Sequence, residues 1–188
     1  QEPLGDLKRL QSRITKLLGR VALPDYCHGA TSGRSYRSNA AAHVDAACAT
    51  TFDIKAFFPS TKIASVYSFF REVLLCSHDV SEILVGITCR DGSLPTGAPS
   101  SPILSFFANR GMFEELNHVA IARQLTFTVY IDDLTFSGAS IPQGFDRYVR
   151  AIVQRHGLRL SVHKTKFFAA DTPKHITGTV ILDGKVKV

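Results

Sequence analysis

Residues 125–138, LTFTVYIDDLTFSG, alternate apolar and polar positions in two runs around an acidic pair. Phe127, Val129 and Ile131 fall on one face, and Leu134 and Phe136 follow the pair. A period of two marks strands whose successive side chains point to opposite faces. The stretch therefore predicts a β-hairpin with Asp132 and Asp133 at its turn. TTFDIKAFF (50–58) predicts a short buried strand closed by Pro59, and HITGTVIL (175–182) predicts another. Asp183-Gly184 is a tight-turn signal before KVKV.

Helical spacing dominates elsewhere. Leu7, Leu10, Ile14, Leu17 and Leu18 predict a helix over 6–20, with Asp6 as N-cap. Its opposite face carries Lys8, Arg9, Arg13, Lys16 and Arg20, either solvated or facing phosphate. A helix over about 61–76 should turn Ile63, Val66, Tyr67, Phe70, Val73 and Leu74 inward. A short helix, about 79–89, ends at Asp91-Gly92. LPTGAPSSP (94–102) is a turn-rich loop in which Ser101 caps a helix starting at Pro102 and running to about 122. A last helix, 142–156, is stopped by Gly157 at C′. HGATSGRSYRSNA (28–40) reads as a polar loop whose Arg34 and Arg37 either meet phosphate or, as is more usual for loop arginines, are solvated. The order of helix, strand, helices, hairpin, helix and strands is an α+β layout, not regular βαβ winding.

The chain has 188 residues, 45% hydrophobic and 20% charged, enough for one domain, or one with part of another. Its 13 Phe can fill a sizeable core without any Trp. A net charge of +6 favours a polyanionic partner. Four cysteines without C-x-x-C spacing read as reduced thiols. Neither a signal peptide nor an apolar run of membrane-spanning length is evident. The chain starts at Gln1 and stops within a predicted hairpin, so it reads as a segment of a longer protein.

Two adjacent carboxylates repel, and one has a raised pKa unless a cation sits between them. A hard divalent cation such as Mg²⁺ suits an all-oxygen site of this kind. The alternative is an exposed polar turn. Asp53 adds weight, because an acid inside an apolar strand is costly unless paired or metal-bound. A third carboxylate beside the hairpin pair would make a cluster able to hold two metals, the arrangement suited to in-line displacement at phosphorus.

Six short motifs, in order, carry a resemblance. NAAAHV starts at Asn39, FDIKAFFPS holds Asp53, LPTGAPSSPILS starts at Leu94, YIDD ends at Asp133, GLRLSVHKTKF holds Lys164, and ITGTV starts at Ile176. Together the chain resembles the reverse transcriptases, specifically the bacterial retron-type enzymes. The resemblance implies an α+β polymerase palm, a mostly antiparallel sheet backed by helices, with part of the fingers. It puts the partial fingers at 1–50 and the palm at 51–188, with the thumb absent and the basic residue before the finger motif missing. It implies RNA-directed DNA polymerase activity, with two Mg²⁺ (or Mn²⁺) held by Asp53, Asp132, Asp133 and the carbonyl of Ile54. Lys164 would protonate the leaving pyrophosphate, with Lys166 as its competitor. Tyr130 and Ile131 would lie near the primer end and the incoming nucleotide. Gly97, Ala98 and Pro99 would line the nucleotide pocket.

Phe58 would be a steric gate against the ribose 2′-hydroxyl, with Phe57 facing the core from the opposite side of the strand. Asn39 and His43 read as structural. The implied partners are an RNA template, a DNA or RNA primer, dNTPs and a structured non-coding RNA, in a bacterial cytoplasm. Rival readings are an RNA polymerase palm, an antiviral-defence relative making DNA without a template or from a protein primer, and a nucleic-acid-binding module with a vestigial site.

Overall fold

The computed structural model describes residues 3–187. In chain order the elements are α1 (Gly5–Leu18), α2 (Tyr36–Ala41), β1 (Cys48–Asp53), α3 (Phe57–Ser60), α4 (Ile63–Ser68), α5 (His78–Thr88), α6 (Ser101–Ala108) and α7 (Arg110–Ile121). Then follow β2 (Thr126–Tyr130), β3 (Asp133–Gly138), α8 (Phe145–Arg155), β4 (Lys166–Phe168), β5 (Lys174–Ile176), β6 (Thr179–Leu182) and β7 (Lys185–Lys187). Contacts divide them into two compact units: the chain up to Ala22 with Ala56–Arg110, and Leu23–Lys55 with Gly111 onward.

The first unit is helical. Phe69 and Phe107 stack 4.7 Å apart, with Val66, Phe70, Leu94 and Leu104 buried beside them. Several sequence expectations fail here, each for a local reason. The N-cap of α1 is Leu4, with Asp6 in the first turn, and Leu7, Leu10 and Leu17 are exposed. The helix expected over 61–76 passes from α4 into a π-turn at Phe69–Val73. That wider turn changes the helical phase. Phe69 joins Phe70 in the core, while Ile63, Val73 and Leu74 lie exposed. Ser100, not Ser101, is the N-cap of α6; the Ser101 hydroxyl donates to the Pro95 carbonyl at 2.6 Å. The single helix expected to about 122 breaks at Asn109 (φ −116°), whose amide donates to Thr61 Oγ1 and the Ser105 carbonyl.

Strand β1 ends at Asp53, well short of Pro59. Ala56 adopts a left-handed conformation (φ 49°) and the chain turns into α3. Phe57 and Phe58 are therefore helical neighbours, not alternating strand residues. Phe57 is buried and Phe58 half-buried, their rings stacked 6.1 Å apart.

The second unit contains a four-stranded sheet ordered β2-β3-β1-β4, antiparallel at every named pairing. One face is apolar: Phe127, Phe136 and Phe52 pack against one another and against Phe145 of α8. Burying each such ring contributes roughly 1.5–3 kcal/mol. The other face carries Thr128, Thr135, Ser137, Asp53 and Asp133, the positions one residue out of phase. The strand expected over 175–182 is a hairpin, broken at Thr177-Gly178, and β7 completes a three-stranded sheet β5-β6-β7. The polar loop expected over 28–40 contains α2, closed by a capping box in which Ser35 and Ser38 satisfy each other's backbone amides. Ala40 of α2 packs with Ile176 and Ile181 in a small second core.

Candidate active site

Strand register brings the acids together. Asp53, the last residue of β1, is the register partner of Asp133, the first residue of β3. Only Ile131 and Asp132 separate β2 from β3, so Asp132 occupies the turn itself. Past the sheet's end, the Ile54 amide donates to the Asp132 carbonyl at 2.9 Å. On the other side, the Lys55 amide donates to the Arg159 carbonyl and the Ser161 amide to the Asp53 carbonyl, both at 2.8 Å. This pairing delivers a short 3₁₀ turn, Val162–Lys164, beside the acids. Lys164 Nζ then donates to Asp53 Oδ2 at 2.8 Å. Lys166 is set in β4 instead, its carbonyl accepting from the Thr50 hydroxyl.

The electrostatics are strained. Burial, and then the charges of Asp132 and Asp53, push the Asp133 carboxyl up to about 6. Burial also raises Asp132, with the Asp53 charge adding to it. Its hydrogen bond to Asp53 holds the Lys164 ammonium protonated above its ordinary range. Three carboxylates face one ammonium, so the cluster is short of positive charge. The donors are all oxygen, which fits a hard divalent cation. Among the described residues, no three acidic, histidine or cysteine side chains already converge at metal-holding distance. Beside the acids opens a cleft of about 400 Å³, lined by Asp53, Asp133, Thr135, Lys164, Lys166 and Thr177 among others. Thr135 Oγ1, buried in its wall, has no hydrogen-bond partner among the described residues.

Tyr130 and Ile131 are half-buried at the same turn. Gly97, Ala98, Pro99 and Phe58 belong to the first unit. There Gly97 is exposed at φ 89°, Ala98 is buried, and the Pro99 carbonyl accepts from the Thr15 hydroxyl.

Gly29 escapes a reading from sequence. A Cβ there would lie 2.4 Å from the Ile131 amide nitrogen. Residues 26–28 also cover the outer edge of β2, with the Val129 amide donating to the Tyr26 carbonyl and His28 to the Val129 carbonyl. Arg34, expected to be solvated, pins that segment through the Asp25 carboxylate and the Pro24 and Cys27 carbonyls.

The reverse transcriptase (RNA-dependent DNA polymerase) family model matches residues 3–181. The chain belongs to the reverse transcriptase family. It is 29% identical over 190 residues to the retron Ec86 reverse transcriptase of Escherichia coli, covering 100% of this chain and 59% of that protein. It is 30% identical over 174 residues to the retron Se72 reverse transcriptase of Salmonella heidelberg, covering 88% and 45%. The retron Mx162 reverse transcriptase of Myxococcus xanthus is 27% identical, covering 95% and 43%. The chain thus spans roughly half the length of these relatives. Apo telomerase from Candida tropicalis shares the fold, with a TM-score of 0.65 at 10% identity, covering 100% of this chain and 41% of that one. An α+β reverse transcriptase palm, antiparallel sheet with helices, is the architecture of the chain. Among the described residues no helix is long and apolar enough to cross a membrane.

Proposed function

We propose that the chain carries the palm (51–188) and part of the fingers (1–50) of an RNA-directed DNA polymerase. The observation that carries this is the pairing of Asp53 with Asp133 at one end of the sheet, with Asp132 in the adjoining turn. Asp53, Asp132, Asp133 and the Ile54 carbonyl are the groups that would hold Mg²⁺, or Mn²⁺ in its place. Bound there, two such ions would activate the attacking hydroxyl and stabilise the leaving pyrophosphate.

The primer 3′-hydroxyl loses its proton to solvent as its oxygen bonds the α-phosphorus of a dNTP, and the bond from that phosphorus to the oxygen shared with the β-phosphate breaks, releasing pyrophosphate. Lys164 is assigned to give its proton to the departing pyrophosphate, because its exposed ammonium is tethered at the carboxylate cluster by its hydrogen bond to Asp53. The Tyr130–Ile131 turn and the Gly97–Pro99 loop are assigned to the incoming nucleotide, Tyr130 and Ile131 to the primer end as well. We assign the template to RNA and the primer to DNA or RNA, their backbones met by the basic face of α1 and the net charge of +6 through counterion release, with a structured non-coding RNA as a further partner. A bacterial cytoplasmic setting and an antiviral role accompany that reading.

The test is dNTP incorporation on a primed RNA template by the full-length protein. Asp53→Asn and Asp133→Asn should each cost roughly a thousandfold or more, since metal-held charge contributes several kcal/mol to the transition state. Near-wild-type incorporation by either variant would remove the assignment. Phe58 carries the sugar preference in this reading. A phenyl ring cannot accept a hydrogen bond from a 2′-hydroxyl, and leaving that group unpaired costs about 1–3 kcal/mol, or roughly ten- to a hundredfold. Phe58→Ala should raise rNTP use relative to dNTP use; unchanged discrimination would sink the gate.

A further inference from the structure

The segment from Asn39 to Val44 grips both sheets of the second unit. His43 is fully buried, and its two ring nitrogens meet Ser137 Oγ at 2.6 Å and Thr128 Oγ1 at 2.7 Å, on β3 and β2. Neither contact is local; both reach the polar face that ends in the acids. Four residues earlier, Asn39 Nδ2 donates to Thr177 Oγ1 at 2.8 Å, across 138 residues of chain. Between them Ala40 packs on Ile176 and Ile181, with Val44 and Val186 alongside.

The contact at Thr177 is chosen against local preference. Thr177-Gly178 is a two-residue hairpin turn with φ 46° and 77°. Positive φ at both positions is the geometry that Asn-Gly supplies most easily. A β-branched residue there is strained, and such strain persists only where surrounding structure imposes it. Asn39 is no better placed for stability: it is fully buried, and its Oδ1 has no hydrogen-bond partner among the described residues. Two unfavourable choices meet in one hydrogen bond. What they hold is the wall of the cleft: Thr177 and Gly178 line it together with Asp53, Asp133 and Lys164.

We propose that Asn39 is a positioning residue that holds the Thr177-Gly178 turn against the carboxylate cleft, with His43 anchoring the same segment to the sheet that carries the acids. The inference rests on the polymerase reading for its catalytic consequence, and on geometry alone for the brace. Substrate lying against Asp53 and Asp133 is bounded by this turn, so a displaced turn misaligns the reacting groups. Misplacement by about an ångström can cost up to about a hundredfold in rate.

Thr177→Gly separates positioning from stability. It relieves the strained φ while removing the hydroxyl. Relief of the strain and loss of the buried Asn39 amide's partner oppose each other, so the melting temperature should change little, while kcat falls roughly tenfold or more and KM for dNTP stays constant. Thr177→Ser keeps the hydroxyl and should restore kcat. Asn39→Ala should reproduce the kcat loss and add nothing in the Thr177→Gly background. Unchanged kcat in Thr177→Gly, a melting temperature that falls along with kcat, or failure of serine to restore it would each overturn the proposal. Amide hydrogen exchange reads the brace without activity. Asn39→Ala should speed exchange over 174–182 and leave 129–133 as in the wild type. Unchanged exchange over 174–182 overturns the brace. A wild-type protein that incorporates no dNTP would sink the polymerase reading instead, and the exchange result would then decide the brace by itself.

Discussion

Two tight turns flank the candidate site, and both place a β-branched residue in the left-handed region. Ile131 sits at φ 60° between β2 and β3, and Thr177 at φ 46° between β5 and β6. Such conformations cost of order 1–3 kcal/mol each, so each turn needs a brace. The first is braced by backbone. Gly29 lies so close to the Ile131 amide that no side chain fits between them, and residues 26–28 hydrogen-bond along β2. The second is braced by a side chain, the Asn39 amide on the Thr177 hydroxyl. A backbone brace is rigid and pH-insensitive, and changing it displaces the main chain. A side-chain brace can be cut one atom at a time, and its support can titrate.

The largest effect should come from breaking the first brace. In Gly29→Ala the new Cβ would lie 2.4 Å from Ile131 N, 2.9 Å from Ile131 Cγ1 and 3.1 Å from the Tyr130 carbonyl carbon. Two of those three atoms are backbone, so the turn itself must move. Overpacking of this kind costs about 1–3 kcal/mol. The moved turn carries Asp132, so incorporation should fall on the order of a hundredfold. Ile131→Gly should not rescue the variant, because it clears the Cγ1 contact and leaves both backbone contacts. Rescue by Ile131→Gly would show that the close approach is a side-chain matter and that the two braces are alike.

The contrast also separates what can be read in the sequence from what cannot. The β2–β3 hairpin is legible because apolar alternation on both sides leaves one place for an acidic pair, and Asp132 does occupy the turn. The end of α8 is legible for a similar reason: Gly157, at φ 77°, stands just after it. Lys164 can be named as a candidate by resemblance, but its contact with Asp53 depends on residues 159–161 running beside residues 53–55. Nothing local announces the left-handed Ala56 that ends the β1 segment early, or the π-turn that rotates Phe69 inward. Helix α2 escapes because YRSNAA has no apolar period. Its buried side is made of Asn39 and Ala40, whose partners lie on β5 and β6 and in the turn between them. Gly29 escapes for the same reason, since its need for a missing Cβ arises from Ile131, far along the chain.

The smallest effect is the one that acts on the second brace alone. His43 anchors the Asn39 segment as a neutral imidazole, one ring nitrogen donating to a hydroxyl and the other accepting from one. Burial, with His28 nearby, pushes its pKa down from 6.5 to about 3. His28 is itself lowered, by burial and then by Arg34. Below pH 6.5 the unfolded chain binds a proton at His43 that the folded chain refuses. A folded pKa held below the unfolded one contributes stability that is present above 6.5 and lost as pH falls toward 3. The slope is about 1.4 kcal/mol per pH unit within that window. Between pH 7.5 and pH 5, denaturant titration of the wild type should therefore show a loss of roughly 2 kcal/mol from this group. His43→Gln keeps a donor and an acceptor but cannot titrate. It should be less stable at neutral pH and show a correspondingly shallower acid slope. Gly29 has no titratable counterpart, so Gly29→Ala should keep the wild-type slope at a lower absolute stability. Equal slopes in the wild type and His43→Gln would place the acid sensitivity elsewhere and remove the titratable anchor from the second brace.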